Sequence, residues 1–510
     1  MTFWAKPPAP RHQLVLISQT IDETIAQDHP VRLLDAFLDQ VDWRLWEARY
    51  DGHRGQPPIH PKWIAAAILY GLIKRIRSSR ELEDATRERL DFRWLLGGRT
   101  IDHSTFAAFR TQFAEELKDL NKQIARKIVA QAGAETLVEM ILDGTRIRAN
   151  SDRNGARNAA GLEKLIAACA EQLELRLTQL GREDVQHEEV QALRQQVERI
   201  EEERDKYRAA LDEARKRDEA KRKIYGAKSK PVRVPVTDPD STILPNKEGG
   251  FAPNYTPTAA VESQSGAIIS ADVVSGGDEC QAVARTVEDC EEVLGKKPDR
   301  MSADGNFASG PNLEQLEKQK VEIYMPVGAD LSEKNPANRP DPTEAVAEER
   351  RSELPLHGKH LDKNGFLYDA EKDEYRCPMG KPLVYEKKGS YQRTGIAYRT
   401  YACPGKEGCP LAGVCVKGEA DRRTVSRDEY QDIRDRVARR MQSEAGRAIY
   451  RKRAPAIEGV FGVIKQSLNI RQFLLRGLDK VRIEWRWVCG AYNMKKMLRL
   501  LQTQQAGSRA

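Results

Sequence analysis

Apolar positions recur at helical spacing through the first quarter of the chain. Val31, Leu34, Phe37 and Leu38 mark one helix, and Trp63, Ala66, Ile68, Leu69 and Ile73 mark a second. A Gly/Pro-rich connector, Asp51 to Pro61, lies between them. Ser79 is placed to cap a further helix with Leu82 facing inward. Gly97-Gly98 makes a turn, and Asp102 to Phe113 reads as a capped helix bearing Phe106, Phe109 and Phe113. Residues 1–25 read as a short extended arm, and 1–125 as an all-α domain. Lys74, Arg75, Arg77, Arg80, Arg87 and Arg89 are displayed on it. That suits a helix-turn-helix DNA reader or a plain bundle used for dimerisation.

The period then changes. Val138 to Ile147 reads as a strand leading into Asp143, with Gly144 allowing a turn. Two apolar series follow, Leu162, Ile166, Cys169, Leu173, Leu177, Leu180 and Val190, Leu193, Val197, Ile200, Tyr207, Leu211. Broken at GREDVQHEE, they predict an antiparallel helical hairpin over 155–228, read as a solvated spacer. Tyr255 to Glu262 and Ala267 to Val274 are predicted strands about a Gln264-Ser265-Gly266 turn. Helix, strand, helix, strand then alternate through Cys280–Leu294, Arg300–Ala303, Pro311–Lys320 and Val321–Pro326. Antiparallel strands followed by alternating helix and strand describe a mixed α/β sheet, the element order of a ribonuclease-H-like core. The expected domains are 136–328 for its first part, 329–426 for a polar, Pro-rich flexible linker with a Cys-rich β insertion, and 427–500 for a C-terminal helical part. That last part is expected to break near Pro455.

Composition narrows the class. Across 510 residues, 40% hydrophobic content supports a real core, and eight cysteines are too few for a secreted disulfide scaffold. The longest apolar run, Trp63 to Ile73, falls short of the ~20 residues a membrane helix needs. No signal peptide is apparent, so a soluble, cytoplasmic protein is expected. Net charge is only +7, but Arg447 to Arg499 carries thirteen basic against three acidic residues, a local +10. Clustered Lys and Arg are the electrostatic footprint of phosphate binding.

Three acids sit where a metal site needs them. Asp143 and Asp304 end strands, and Glu458 lies near a helix start. Their oxygens suit Mg²⁺ or Mn²⁺. Taken singly, an Asp-Gly after a strand is ordinarily a turn, and a Glu near a helix start ordinarily complements the dipole. Cys377, Cys403, Cys409 and Cys415 fall within forty residues and would make a tetrahedral structural Zn²⁺ site, or remain free in a small β insert. Cys169, Cys280, Cys290 and Cys489 are expected on apolar helix faces, with Trp485 and Trp487 in the core. His103 is expected to cap or pack.

With its flanks, this set resembles the DDE transposases of bacterial insertion sequences, in particular the IS-eleven-eighty-two-like group. The segments that carry the resemblance are GQPPIHPKWIAAAILYGLIKRIRSSRELEDA through IDHSTFAAFR, LDGTRIRANS, TDPDS with GGFAPNYTPTAAVES, ADGNFASGPNLEQL, and Tyr450 to Lys465. The family's third-acid signature spaces Tyr, Arg, Glu and Lys regularly. Here four residues separate Arg453 from Glu458 where related groups have three.

The resemblance implies a ribonuclease-H-like core in which Asp143, Asp304 and Glu458 hold two Mg²⁺ ions. Water would then cleave a phosphodiester at a transposon end, and the freed 3′-OH would attack target DNA. It further implies backbone contacts from Tyr450, Arg453 and Lys465, with Arg471 and Arg476 among the DNA-binding residues. Partners would be double-stranded DNA, at transposon ends and target, and a second copy of the chain. A cytoplasmic protein bound to the nucleoid is expected. The alternative is a DNA-binding protein whose catalytic site has decayed, which loss of one acid would signal; all three are present.

Overall fold

The computed structural model describes residues 20–507 apart from 51–56, 135, 183–186, 227, 247–248 and 278. Most of the expected N-terminal arm, much of the Asp51 to Pro61 connector and the hairpin tip lie outside these. The fold is mixed α/β, about half helix. Two compact units form, one from the residues up to Leu120 together with Gly490 onward, the other from Asn121–Cys489.

The first unit is helical. Its central helix, Pro61–Ile73, is buried over nearly its whole length. That explains the apolar run: it fills a core, and no helix among the described residues is long and apolar enough to cross a membrane. Trp46 stacks on Phe109 and Phe113 at 5.4 and 5.3 Å between centroids. Such aromatic pairs bury large area in preferred offset geometry. The cap of Ser79–Glu88 is Ser78, not Ser79, because Ser78 completes a capping box with Glu81. Asp102 caps His103–Gln112, with Phe106, Phe109 and Phe113 buried as expected. Gly97 and Gly98 both take positive φ.

The second unit is built on a seven-stranded mixed sheet. Glu139–Gly144 lies at its centre, antiparallel to Phe251–Glu262 and parallel to Arg300–Ser302, which in turn runs parallel to Glu322–Tyr324. Phe251–Glu262 also pairs with Ile268–Val274, Thr242–Pro245 and Ile147–Arg148. All but the first of its residues are buried, as in a strand covered on both faces. Helices Ala282–Leu294 and Arg453–Gly462 pack against the sheet.

The hairpin insertion is present as Ala159–Leu180 and His187–Tyr225. Its base is a small core of Leu162, Ala210, Leu211, Ala214 and Val234. Leu177, expected inward, is exposed, so the apolar stripe extends only part of the way. Arg217 anchors this arm by donating to the carbonyls of Pro239, Asp240 and Ser241.

The segment expected as a flexible linker is instead tied down. Asn335 and Asn338 donate to the carbonyl of Asp330, and Ala337 and Val346 join the core of the Cys-containing subdomain. That subdomain is a five-stranded antiparallel meander from Leu367–Asp369 to Thr424–Asp428. The C-terminal helices break at Ser443 and again at Lys452, close to Pro455 as expected. Pro455 sits in the first turn of Arg453–Gly462, where its missing N–H would have had no helical partner.

Candidate active site

Asp143 is the penultimate residue of Glu139–Gly144, and Asp304 follows Arg300–Ser302 by two residues. These strands are adjacent and parallel, with Ile141 opposite Ser302. Continued by two residues, that register sets Asp143 level with Asp304. Neighbouring strands lie ~4.8 Å apart, so the two acids leave the sheet side by side. Asp304 caps the short 3-10 turn Gly305–Phe307, accepting from the N–H of Asn306 at 2.8 Å and from its side-chain amide at 3.4 Å. Gly144 N–H donates to Asp143 Oδ1 at 2.9 Å.

The third expected acid arrives differently. Helix Arg453–Gly462 packs on Glu139–Gly144 through a face that includes buried Ile457 and Val460. Its first residue, Arg453, reaches Asp143 Oδ2 at 3.0 Å. Glu458, in the second turn, is exposed. Arg453 and Glu458 are five residues apart, so about 140° separates them around the helix. Among the described residues, the carboxylates of Asp143, Asp304 and Glu458 do not close to within 4.8 Å of one another as a trio. The structure thus aligns the two aspartates, puts Arg453 on the first, and leaves Glu458 on the same helix facing solvent.

Tyr450 stands beside Arg453 and feels the charge of both aspartates. Burial pushes its phenol above the ordinary value, and the charges of Asp304 and Asp143 push the same way while Arg453 opposes. The Arg453 guanidinium sits 6.0 Å from the Tyr450 ring centroid, and its Nε is buried with no hydrogen-bond partner. Lys465 donates to Thr145 Oγ1 at 2.5 Å, two residues after Asp143. It lies in a π-helical turn, Val463–Ser467, rather than in the continuous α-helix the sequence predicts. Such turns frequently mark functional sites.

Beyond Lys465 the chain docks along Ile147–Arg148. Arg148 N–H donates to Arg471 O, and Arg476 Nε donates to the Asn150 carbonyl at 2.8 Å. Both Arg471 and Arg476 are exposed. The TDPDS motif has a supporting part: Asp238 accepts from Gly477 N–H and Tyr255 OH, and Asp240 from Leu478 N–H. These carboxylates meet the start of the last helix, where negative charge is favoured.

The four cysteines gather on one edge of the meander. Cys377 follows Glu374–Arg376, Cys403 follows Ala397–Ala402, and Cys415 ends a short helix. Burial raises the Cys377 thiol, the N–H groups of Met379 and Lys381 pull it down, and Cys409 and Cys403 push it up. Burial lifts Cys415 to about 11, Arg423 lowers it, and the other three cysteines add to the rise. Arg423 N–H donates to Cys403 Sγ at 3.3 Å. N–H donors aimed at sulfur favour thiolate, the form that binds metal. No three of these sulfurs lie within 4.8 Å of one another. Among the described residues only Glu83, Asp102 and His103 form such a trio, and they serve as caps. Glu83 accepts from the His103 N–H and faces its ring Nδ1, and Asp102 accepts from Ser104 N–H.

Two family models match the chain. A transposase DDE domain matches residues 376–498, and a transposase domain (DUF772) matches residues 19–112. Together they support a DDE transposase. The first match spans Glu458, Tyr450, Arg453, Lys465 and the four cysteines, while Asp143 and Asp304 precede it. The second falls within the helical first unit. No curated protein matches the chain.

Sequence reasoning missed three neighbours of the candidate site. Thr145 is the partner of Lys465. Cys280, expected in the core, is half-exposed just ahead of its helix. Glu279 carries no motif at all, although its position between a strand and a helix was readable.

Proposed function

We propose that this chain is an insertion-sequence transposase, of the IS-eleven-eighty-two-like group, that cleaves transposon-end DNA and transfers the freed 3′ strand to a target. The observation that carries the reading is the alignment of Asp143 and Asp304 on adjacent parallel strands, with Arg453 brought to Asp143 and Tyr450 beside Arg453. The mixed sheet, with antiparallel strands before parallel ones, supports a ribonuclease-H-like core.

The donor set fits a divalent ion: Asp143 and Asp304 offer hard oxygens side by side, although Arg453 already pairs with Asp143. Asp143, Asp304 and Glu458 would hold Mg²⁺ or Mn²⁺, which would activate the attacking oxygen and stabilise the leaving one. Arg453 holds the Asp143 carboxylate in place and keeps its buried Nε as a donor for a phosphate oxygen. Lys465, fixed beside Thr145, adds positive charge for the adjacent backbone. Arg471 and Arg476 extend that track. Cys377, Cys403, Cys409 and Cys415 would hold a structural Zn²⁺, for which sulfur donors with N–H support are suited.

In this reading 1–125 recognises end DNA, 136–328 with 427–500 forms the catalytic core, and two copies bring two ends together on the nucleoid. The test is incubation of purified protein with its flanking terminal DNA and Mg²⁺. Strand cleavage by the native chain, lost in Asp143→Asn and Asp304→Asn while end binding persists, is the expected result. Cleavage that survives either substitution would overturn the assignment of that residue.

A further inference from the structure

A dipeptide lies between the two acid loops. Glu279 and Cys280 follow strand Ile268–Val274 and precede helix Ala282–Leu294. Ile268–Val274 and Glu139–Gly144 both run antiparallel to Phe251–Glu262, so they point the same way. The chain therefore leaves Ile268–Val274 at the sheet end where Asp143 and Asp304 stand.

Residue 280 is fastened to the second acid's loop. Cys280 Sγ donates to the Asn306 carbonyl at 3.2 Å. The Asn312 side-chain amide donates to Cys280 O at 2.9 Å and to Phe307 O at 3.0 Å. Asn306 and Phe307 are two and three residues past Asp304. Residue 279 is pressed against the first acid's loop. A Cβ at Gly144 would overlap the Glu279 carboxylate, whose three outer atoms are its nearest neighbours. Gly144 directly follows Asp143, and its lack of a side chain is what lets the carboxylate approach.

Charge gives this contact a purpose. Asp143 and Asp304 carry two negative charges, while Arg453 on Asp143 and Lys465 on Thr145 bring two positive ones. Those positive charges weaken the pull of the two aspartates on a divalent cation. A further carboxylate over Gly144 adds negative charge beside the pair, and partly buried charges act strongly over such distances.

We propose that Glu279 is a positioning residue for the Asp143–Asp304 pair, setting the spacing of the two acid loops and supplying the negative charge that lets them hold a divalent cation. The inference rests on the metal-binding reading of those aspartates. It goes beyond that reading in naming a residue outside the three-acid set and in giving Gly144 a specific role.

Mn²⁺ binding to the full chain without DNA, followed by calorimetry, tests this together with thermal melts and end-DNA binding. Glu279→Gln removes the charge and keeps the shape. Gly144→Ala takes the carboxylate's place, and the fold is retained because the displaced group is the far end of a flexible side chain. Both are expected to weaken Mn²⁺ binding about tenfold or more with unchanged melting, as losses in the supporting shell of a metal site do. Excess Mn²⁺ is expected to restore end cleavage in Glu279→Gln but not in Asp143→Asn. Native Mn²⁺ affinity in Glu279→Gln or in Gly144→Ala overturns the proposal. If Asp143→Asn weakens binding and Glu279→Gln does not, Glu279 alone loses its role. If Asp143→Asn also leaves binding unchanged, the metal reading falls and takes this inference with it.

Discussion

Arg453 and Asp143 meet at 3.0 Å although they stand on a helix and a strand 310 positions apart. Their side chains are 13% and 20% exposed, so the pair is largely shielded from water. Removing the cation takes away the positive charge that meets Asp143 directly beside Asp304. Arg453→Ala is therefore expected to lower metal-free stability by about 1–2 kcal/mol, and added Mn²⁺ should recover more stability in the variant than in the native chain. Arg453→Lys keeps charge but loses the Nε donor, so it should melt near the native temperature yet cleave at least about tenfold more slowly. Equal Mn²⁺ shifts in native and Ala proteins would remove the coupling.

The three acids are not expected to be equal. Asp143 and Asp304 are fixed by strand register, and Glu458 by a helix that already commits its first residue to Asp143. Asp143→Asn and Asp304→Asn should each reduce cleavage by about 10³ or more. Glu458→Gln should match them only if the helix turns or shifts to bring its exposed carboxylate in when DNA binds. A kinetic comparison of the three variants on one end-DNA substrate separates these cases.

The sequence carried much of this arrangement because strands announce themselves locally. Asp143 and Asp304 each close a short apolar run, and a parallel register between those runs makes them level. What it missed depended on contacts between distant segments. The four-residue spacing between Arg453 and Glu458 departs from the family pattern, yet the new helix that begins at Arg453 aims it at Asp143. Lys465 follows Glu458 by seven residues in the sequence, and Lys465 itself lies in a π-turn that the sequence does not announce. Polar composition suggested a loose linker at 329–353, whereas side-chain amides of Asn335 and Asn338 pin it. Glu279 left no local mark, because its place is defined by a glycine 135 positions earlier.

The cysteine cluster predicts a metal count. Native protein should carry about one Zn²⁺ per chain, and Cys409→Ser should lower that and loosen the meander. Chelation should expose the buried Tyr375 and Tyr401 to solvent, read as a change in tyrosine fluorescence. A zinc-free protein with native stability would leave the cysteines as ordinary core residues.

Arg471 and Arg476 flank the segment docked on Ile147–Arg148 and keep exposed guanidinium groups. Each neutralised phosphate adds close to one unit to the salt dependence of DNA binding. Arg471→Ala and Arg476→Ala should each lower the slope of log affinity against log salt by about 1, with little change in sequence preference. A changed preference with an unchanged slope would make them base readers instead.

Lys363 supplies a pH test independent of the catalytic reading. Its Nζ donates to Gln431 Oε1 at 2.8 Å between the meander and helix Gln431–Gln442. Burial lowers its pKa from 10.5 to about 8, with Arg427 and Arg434 adding to the drop and Asp428 and Asp435 opposing it. The unfolded chain then binds the proton more tightly than the folded one, so stability rises with pH between about 8 and 10.5. Below that window the buried charge costs its full penalty, on the order of 2 kcal/mol once residual solvent screening is allowed for. Lys363→Met should therefore stabilise the protein at pH 7, and the gain should fade as pH approaches 10.5. Urea unfolding of both proteins at the two ends of the window measures the difference. A gain of the same size at both would place its origin in packing rather than in the proton.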